Sequence, residues 1–284
     1  MNSQLIIDAD PKSGRTNIAL LEDAQLVEYK TENINKGFAL GDIYVGVVTK
    51  VMQSLNASFV DIGHKHQAFL HYNDLGPRVE FMLGCVKRVT KSKVKGKEQL
   101  LSLFTPTEGN DEGQSSKMPK DGRIGDYLKP GQLVLVQIAR EAYANKGPSL
   151  TTDISLAGRN MVLMPFASAL KVSSRLRAPE EVKRLERLMR SILPPGFGAI
   201  VRTAAEGKTV ESLDSELEEL LSRWQEALEQ LAAASKFPLR LLSELDRSSA
   251  LIRDNLNGSY SEIQVNDRDL YTQIRSYLSQ IAPK

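Results

Sequence analysis

The chain has 284 residues, 41% of them hydrophobic and 25% charged, with a formal net charge of +2. These values are ordinary for a globular protein; they exclude a fibrous or low-complexity chain and leave room for two domains, or for one domain with a large insertion. A near-neutral balance gives no polyanion-binding signal through overall charge, so any basic surface must be local. No run approaches the ~18 apolar residues of a membrane span, and the opening MNSQLIIDADPK lacks a basic segment followed by an apolar core. The single cysteine, Cys85, cannot pair within the chain, which fits a reducing compartment. The expectation is a cytoplasmic protein.

Gln4 to Tyr29 read as strands: LIIDA is apolar, and NIALLED with QLVEYK forms a hairpin around Asp23 and Ala24. From Gly46 to Leu75, GVVTKVMQSLNASFVDIGHKHQAFLHYNDL alternates with a period of two, pauses at Gly63 and alternates again. The period puts Val60 and Ile62 on one face and Phe59 and Asp61 on the other. Ala68 and Leu70 then share a face, with Phe69 and His71 opposite. Next comes a cationic run, KRVTKSKVKGK, in which alternation places Lys91, Lys93, Lys95 and Lys97 on one side of a strand or hairpin; Lys87 and Arg88 precede them. The run suits either RNA phosphates or a solvated edge that guards against strand pairing. Thr105 to Gly122 is polar and aperiodic, as expected of a mobile loop.

Lys129 to Ala139, KPGQLVLVQIA, reads as a Pro-Gly turn and a closing strand in which Leu133 and Leu135 alternate with Val134 and Val136. From Ala178 the texture is helical, with Pro179 in the first turn and Val182, Leu185, Leu188, Met189 and Leu193 as the apolar face. A short strand, AIVRTA, follows the stop at Pro194-Pro195-Gly196. Thr209 then caps a long helix whose Leu213, Leu217, Leu220, Leu221, Trp224, Leu228 and Leu231 form one stripe. Beyond Phe237-Pro238 the pattern predicts a helix, a strand at Glu262 to Val265, and an amphipathic helix to Ile281.

The two phenylalanines carry the first functional signal. A core normally takes large rings, yet alternation turns Phe59 and Phe69 away from the aliphatic face. Rings displayed on neighbouring strands of a small barrel suit single-stranded nucleic acid, because every base has a face to stack. Burial of both barrel faces by neighbouring segments is the competing reading. A strand opening Gly-x-Val, a Phe-Val-Asp-Ile-Gly turn and a Phe-Leu-His strand resemble an S1 RNA-binding domain, which implies an OB-fold barrel.

A second constellation narrows the resemblance. Asn145 to Pro165 read NKGPSLTTDISLAGRNMVLMP, and Ile200 to Gly207 read IVRTAAEG. With the S1-like stretch, these resemble the ribonuclease E/G family of bacterial endoribonucleases, which cut single-stranded RNA and sense its 5′ end. The resemblance runs nearly the whole chain in order. It implies an α+β fold: an S1-type OB-fold barrel inserted in a split RNase H-like subdomain, followed by an α/β 5′-sensor subdomain. The implied divisions are 1–36 and 249–284 for the two parts of the RNase H-like subdomain, the second cut short. The barrel takes 37–150, with an insertion at about 79–129, and the sensor takes 151–248.

The resemblance assigns RNA contacts to Phe59, Phe69, Lys146 and Arg140, and a 5′-phosphate pocket to Gly158, Val162, Arg202 and Thr203. The chemistry of those residues suits the task. A terminal monophosphate carries nearly two negative charges; Arg202 offers a two-pronged donor, Thr203 a hydroxyl, and main-chain N–H groups near Gly158 complete the shell. The chain departs from the family in the length of the 79–129 segment and in Ile62, which stands at a position often aromatic.

The family cleaves with a separate DNase I-like domain that holds Mg²⁺ on paired aspartates, and it links subunits through zinc at a Cys-Pro-x-Cys motif. The sequence ends at Lys284 without that motif. The expectation is therefore an RNA-recognising portion that binds 5′-monophosphorylated single-stranded RNA without cutting it and carries no cofactor of its own. The intact protein would be a homo-oligomer. The alternative is a free-standing S1-domain RNA-binding protein without nuclease activity. A third reading, an RNase H-type nuclease acting through Asp8 and Asp10, is set aside because two carboxylates on one strand are not a complete two-metal site.

Overall fold

Three strands at the start of the chain, β1 (Ser3–Asp10), β2 (Arg15–Glu22) and β3 (Gln25–Asn33), form an antiparallel meander. The period-two pattern buries Leu5, Ile7 and Ala9 on one face of β1. Asp23 and Ala24 turn the hairpin with positive φ of 48° and 65°, the left-handed pair a tight two-residue turn requires. The computed structural model describes residues 2–10, 12, 15–33, 38–91, 97–104, 118–243 and 260–281. The chain divides into two compact units, one made of 1–37 with 245–284 and the other of 38–244.

The larger unit begins with β4 (Ile43–Met52), followed by β5 (Ala57–Asp61), β6 (Ala68–His71), β7 (Leu133–Arg140) and β8 (Ser149–Thr151). Pairing runs β4–β5–β6–β8–β7 and returns from β7 to β4. The result is a closed five-stranded barrel, consistent with an OB-like fold. Val60, Ile62, Ala68 and Leu70 point into its core, and Phe59, Asp61, Phe69 and His71 are only half-buried, so the predicted facing holds. Strand β7 is less one-sided than its alternation suggests, since Val134, Leu135 and Val136 are all buried. Its second face is covered by α1 (Val79–Lys91).

That helix corrects the reading of the lysine run as a strand or hairpin. Val79, Met82, Leu83, Val86 and Val89 recur at helical spacing and are buried, leaving Lys87, Arg88 and Lys91 exposed. Lysine alternation is compatible with either period, and the apolar spacing decides. Lys93 and Lys95 lie outside the described residues. Lys97 begins α2 (Lys97–Leu103), which packs on a later helix. The predicted loop from Thr105 to Gly122 falls largely outside the described residues, and a short helix, α3 (Ile124–Tyr127), follows it.

A second sheet has the order β11–β12–β10–β9, with β9 (Leu156–Ala157), β10 (Met161–Pro165), β11 (Leu170–Val172) and β12 (Phe197–Val201). Two helices pack on these elements, α4 (Pro179–Ile192) and α5 (Val210–Ala233). The α4 helix carries Pro179 in its first turn, as predicted. Thr209 caps α5 by accepting the Ser212 N–H, and the predicted stripe is buried except for Leu221, which is half-buried. Trp224 at its centre meets Phe104 and Phe166 edge-on, with ring centroids 6.3 and 5.8 Å away. Immediately after Pro238 the chain forms a strand, β13 (Leu239–Leu242), which the sequence pattern did not predict; it pairs with the start of β4. The helix expected beyond it falls outside the described residues.

In the smaller unit, β14 (Tyr260–Val265) joins β1 in parallel, and α6 (Arg268–Ile281) buries Ile274 against Leu5, Ile7 and Ile18. Asp8 accepts hydrogen bonds from the amides of Asn17 and Asn266, and Asp10 accepts from the Lys12 N–H.

Gly46 sits where one edge of β4 changes partner from β13 to β5. A methyl group there would stand 2.5 Å from Val60 Cγ1 and 2.9 Å from the Asp61 carbonyl oxygen. Gly46→Ala should therefore destabilise the barrel by about 1–3 kcal/mol, the usual cost of overpacking. The check is the urea midpoint, and an unmoved midpoint would mean that the strand crossing relaxes freely.

Candidate nucleic-acid interface

Phe59 and Phe69 stand directly opposite each other on β5 and β6, with ring centroids 5.9 Å apart and planes at 66°. The His71 ring lies near-parallel to Phe69 at 6.4 Å. Directly paired residues on neighbouring strands project from the same face, so the register extends this pair into a row. Lys50 pairs with Phe59, Phe69 with Ser149, and Ser149 with Arg140. Lys50, Phe59, Phe69, Ser149 and Arg140 thus cross all five strands on the outer surface, with an exposed cation at each end. Both cations follow a register shift, between Val48 and Lys50 and between Ile138 and Arg140. The Thr49 hydroxyl donates to the Phe59 carbonyl beside the first shift.

Lys146 lies on a tight turn beside this row. Tyr143 and Lys146 exchange two main-chain hydrogen bonds, of 3.2 and 3.0 Å, around the left-handed Ala144. The turn is docked on the barrel: the Phe69 N–H donates to the Pro148 carbonyl, and a Cβ at Gly147 would collide with the Gln67 carbonyl oxygen. Tyr143, on the same turn, is 83% exposed. Sequence reasoning missed Lys50, because a bulge decides its direction, and it missed Tyr143, whose exposure comes from the turn and not from any periodicity.

The second predicted cluster lies at the turn end of the β9–β10 hairpin. Gly158 to Asn160 form its turn, closed by the Gly158 N–H donating to the Met161 carbonyl at 2.8 Å, so this N–H is spent within the loop. Strand β12 lies alongside, with Val162 paired to Ile200 and Met161 to Val201. Arg202 leaves that strand with its N–H on the Asn160 carbonyl, at 2.7 Å, and its Nη1 on the Gly158 carbonyl, at 3.0 Å. Thr203 is exposed and opens a short 3-10 turn. Gly158, Arg202 and Thr203 are therefore brought together, with Val162 further along the strand pair. Glu216 of α5 supports the turn from behind: its carboxylate accepts the Asn160 N–H at 2.9 Å and the Asn160 side-chain amide at 2.6 Å. Glu216 is 56 residues from that turn, a separation that no local pattern spans.

The 203–208 segment is anchored from its other side. Arg184 grips Glu181 with two hydrogen bonds of 2.7 and 2.8 Å and donates to the Lys208 carbonyl, while Glu181 accepts the Gly207 N–H. The Arg184 bonds first, then the Gly207 N–H, lower the Glu181 carboxyl to about 2.

The Ribonuclease E/G family model matches residues 155–284, a span that includes the 158–161 turn and Arg202. The chain is 29% identical over 283 residues to ribonuclease G of Haemophilus influenzae, covering 99% of this chain and 51% of that protein. Ribonuclease G of Escherichia coli K12 is 29% identical over 284 residues, which is 52% of its length. Ribonuclease E of a Nostoc species is 32% identical over 240 residues, 84% of this chain and 29% of that protein. The chain belongs to the ribonuclease E/G family. It spans about half the length of the ribonuclease G relatives and under a third of the ribonuclease E relative. Within this ribonuclease E/G chain, no helix among the described residues is long and apolar enough to cross a membrane. No group of three or more histidine, cysteine, aspartate or glutamate residues is placed to hold a metal ion among those residues.

Arg184→Ala should return the Glu181 carboxyl of this ribonuclease E/G chain toward the ordinary carboxylate range, read by NMR titration of its side-chain carbon. A carboxyl lowered on folding adds stability above its unfolded pKa and loses it as pH falls through the folded one. The clamp should therefore fade between the ordinary carboxylate range and about pH 2. An unchanged titration would show that the Gly207 N–H alone holds the carboxylate.

Proposed function

We propose that this chain is the RNA-recognising part of a ribonuclease E/G-type endoribonuclease that acts on single-stranded RNA in RNA processing and decay, in the cytoplasm. The observation that carries the reading is the outward-facing Phe59–Phe69 pair, set in a row of residues across the barrel. Stacking on the two rings holds bases of any identity, while Lys50, Arg140 and Lys146 meet phosphates. His71 and Tyr143 add polar and aromatic surface beside them. On this reading the barrel is S1-type, and the unit formed by both ends of the chain is the RNase H-like subdomain.

The 5′ end is read at Arg202 and Thr203. A terminal monophosphate presents three acceptor oxygens and close to two charges. The Arg202 guanidinium is planar and offers paired donors, and the Gly158 carbonyl on its Nη1 fixes the plane in which it can meet an anion. Thr203 adds a hydroxyl from an exposed position, and Gly158 and Val162 shape the floor. A 5′ triphosphate would be too bulky for such a pocket, so removal of two phosphates becomes a signal that the RNA is open to processing.

The Mg²⁺ and zinc implied by the family are not assigned to residues of this chain. Asp8 and Asp10 do not fit a metal pair: Asp8 is engaged by Asn17 and Asn266, and Asp10 turns back to the Lys12 N–H. The reading therefore covers binding, with homo-oligomerisation belonging to the intact protein.

Titration with a fluorescent single-stranded RNA tests the row. Phe59→Ala and Phe69→Ala should each weaken binding by about 1–3 kcal/mol with little change in the thermal midpoint, and unchanged affinity in both would refute the stacking surface. The same titration with 5′-monophosphate and 5′-hydroxyl forms of one oligonucleotide tests the pocket. A charge-assisted hydrogen bond contributes about 1.5–3 kcal/mol, so the monophosphate should bind roughly tenfold more tightly. Arg202→Lys should lose most of that ratio and Thr203→Val less, while the phenylalanine variants leave it intact. Equal binding of the two forms by the wild-type chain would remove the 5′-sensing assignment.

A further inference from the structure

The carboxylate of Glu216 reaches the 158–161 turn from behind. It projects from α5 at a point flanked by the buried Leu213, Leu217 and Leu220. There it accepts the Asn160 N–H on both oxygens, at 2.9 and 3.2 Å, and the Asn160 side-chain amide at 2.6 Å. The N–H groups of Arg159 and Met161 also act on it. Successive main-chain N–H groups converging on one anion form a nest, and in this chain the protein supplies the anion itself. Burial pushes the Glu216 carboxyl up, and these donors draw it back down.

The geometry runs onward from the nest. With three consecutive residues tethered, the Gly158 carbonyl is fixed at the far side of the turn, where it receives Arg202 Nη1 at 3.0 Å. Glycine is required at 158, because a Cβ there would collide with Glu216 Oε1 and stand 2.9 Å from the Met161 carbonyl oxygen. We infer that Glu216 is a positioning residue for the 5′-phosphate pocket: through the 158–161 turn it sets the plane of the Arg202 guanidinium. An incoming phosphate then meets an arginine whose orientation is fixed in advance, and the nest donors are occupied by protein, so the phosphate is held by side chains. Pre-ordering the arginine lowers the entropy lost on binding.

This inference rests on the phosphate reading of Arg202, and the test separates the two. The 284-residue chain is titrated with 5′-monophosphate and 5′-hydroxyl forms of one oligonucleotide, as wild type, Glu216→Ala and Glu216→Gln. Glu216→Ala should cut the monophosphate preference from roughly tenfold to within about twofold, and 5′-hydroxyl affinity, which reports the barrel row, should stay at the wild-type value. Glu216→Gln keeps the volume and one acceptor oxygen but turns an amide toward the N–H donors, so its ratio should fall between the other two.

A wild-type ratio in Glu216→Ala overturns the inference, as does an equal loss for both oligonucleotides. If the wild type itself shows no preference, the phosphate reading fails and the positioning claim is read separately from the Arg202 Nε–Hε NMR signal. That signal should move or broaden in Glu216→Gln, and an unaltered signal overturns the inference on its own.

Discussion

Strand β4 has to serve three neighbours with two edges. One edge pairs with β7 from Ile43 to Val47, which closes the barrel; the other is divided between β13 at its start and β5 beyond Gly46. No side chain fits at the changeover, since Val60 and the Asp61 carbonyl occupy the space. The closure of the barrel depends on this crossing. It carries the barrel strands on one side, and through β13 it ties the chain beyond α5 back to them.

The segment between β6 and β7 is as much a part of the core as the strands. Helix α1 covers the outer face of β7, α2 lies on α5, and Phe104 joins Phe166 and Trp224 in one aromatic cluster. A barrel strand buried on both sides can no longer show clean alternation, which explains the run of Val134, Leu135 and Val136. The same packing explains why the apolar stripe of α5 runs unbroken from Leu213 to Leu231.

Much of this was legible in the sequence, for identifiable reasons. Period-two alternation gave the facing of Phe59 and Phe69, and helical spacing with a Thr209 cap gave α5. Helix α1 was obscured because lysines spaced by two drew attention from valines, methionine and leucine spaced by three and four. Four residues, Leu239 to Leu242, are too few for a period to register, so the pattern after Pro238 carries no sign of β13. At the site, Arg202 and Gly158 stand in legible motifs, but the Glu216 carboxylate is joined to them only by folding. Lys50 was out of reach for a different reason, since its direction depends on a bulge that pattern alone does not locate.

Those bulges have a consequence for what the two strands can vary. Thr49 and Ala139 are the extra residues that turn Lys50 and Arg140 outward into line with the phenylalanines. Straightening either strand with its extra residue retained would swing the adjacent cation toward the interior, because a slip of one residue exchanges the faces of a strand. The interface therefore has a reading frame. Connecting loops are free to change length, but a residue gained or lost within β4 or β7 keeps the cations in line only where a bulge appears or disappears with it.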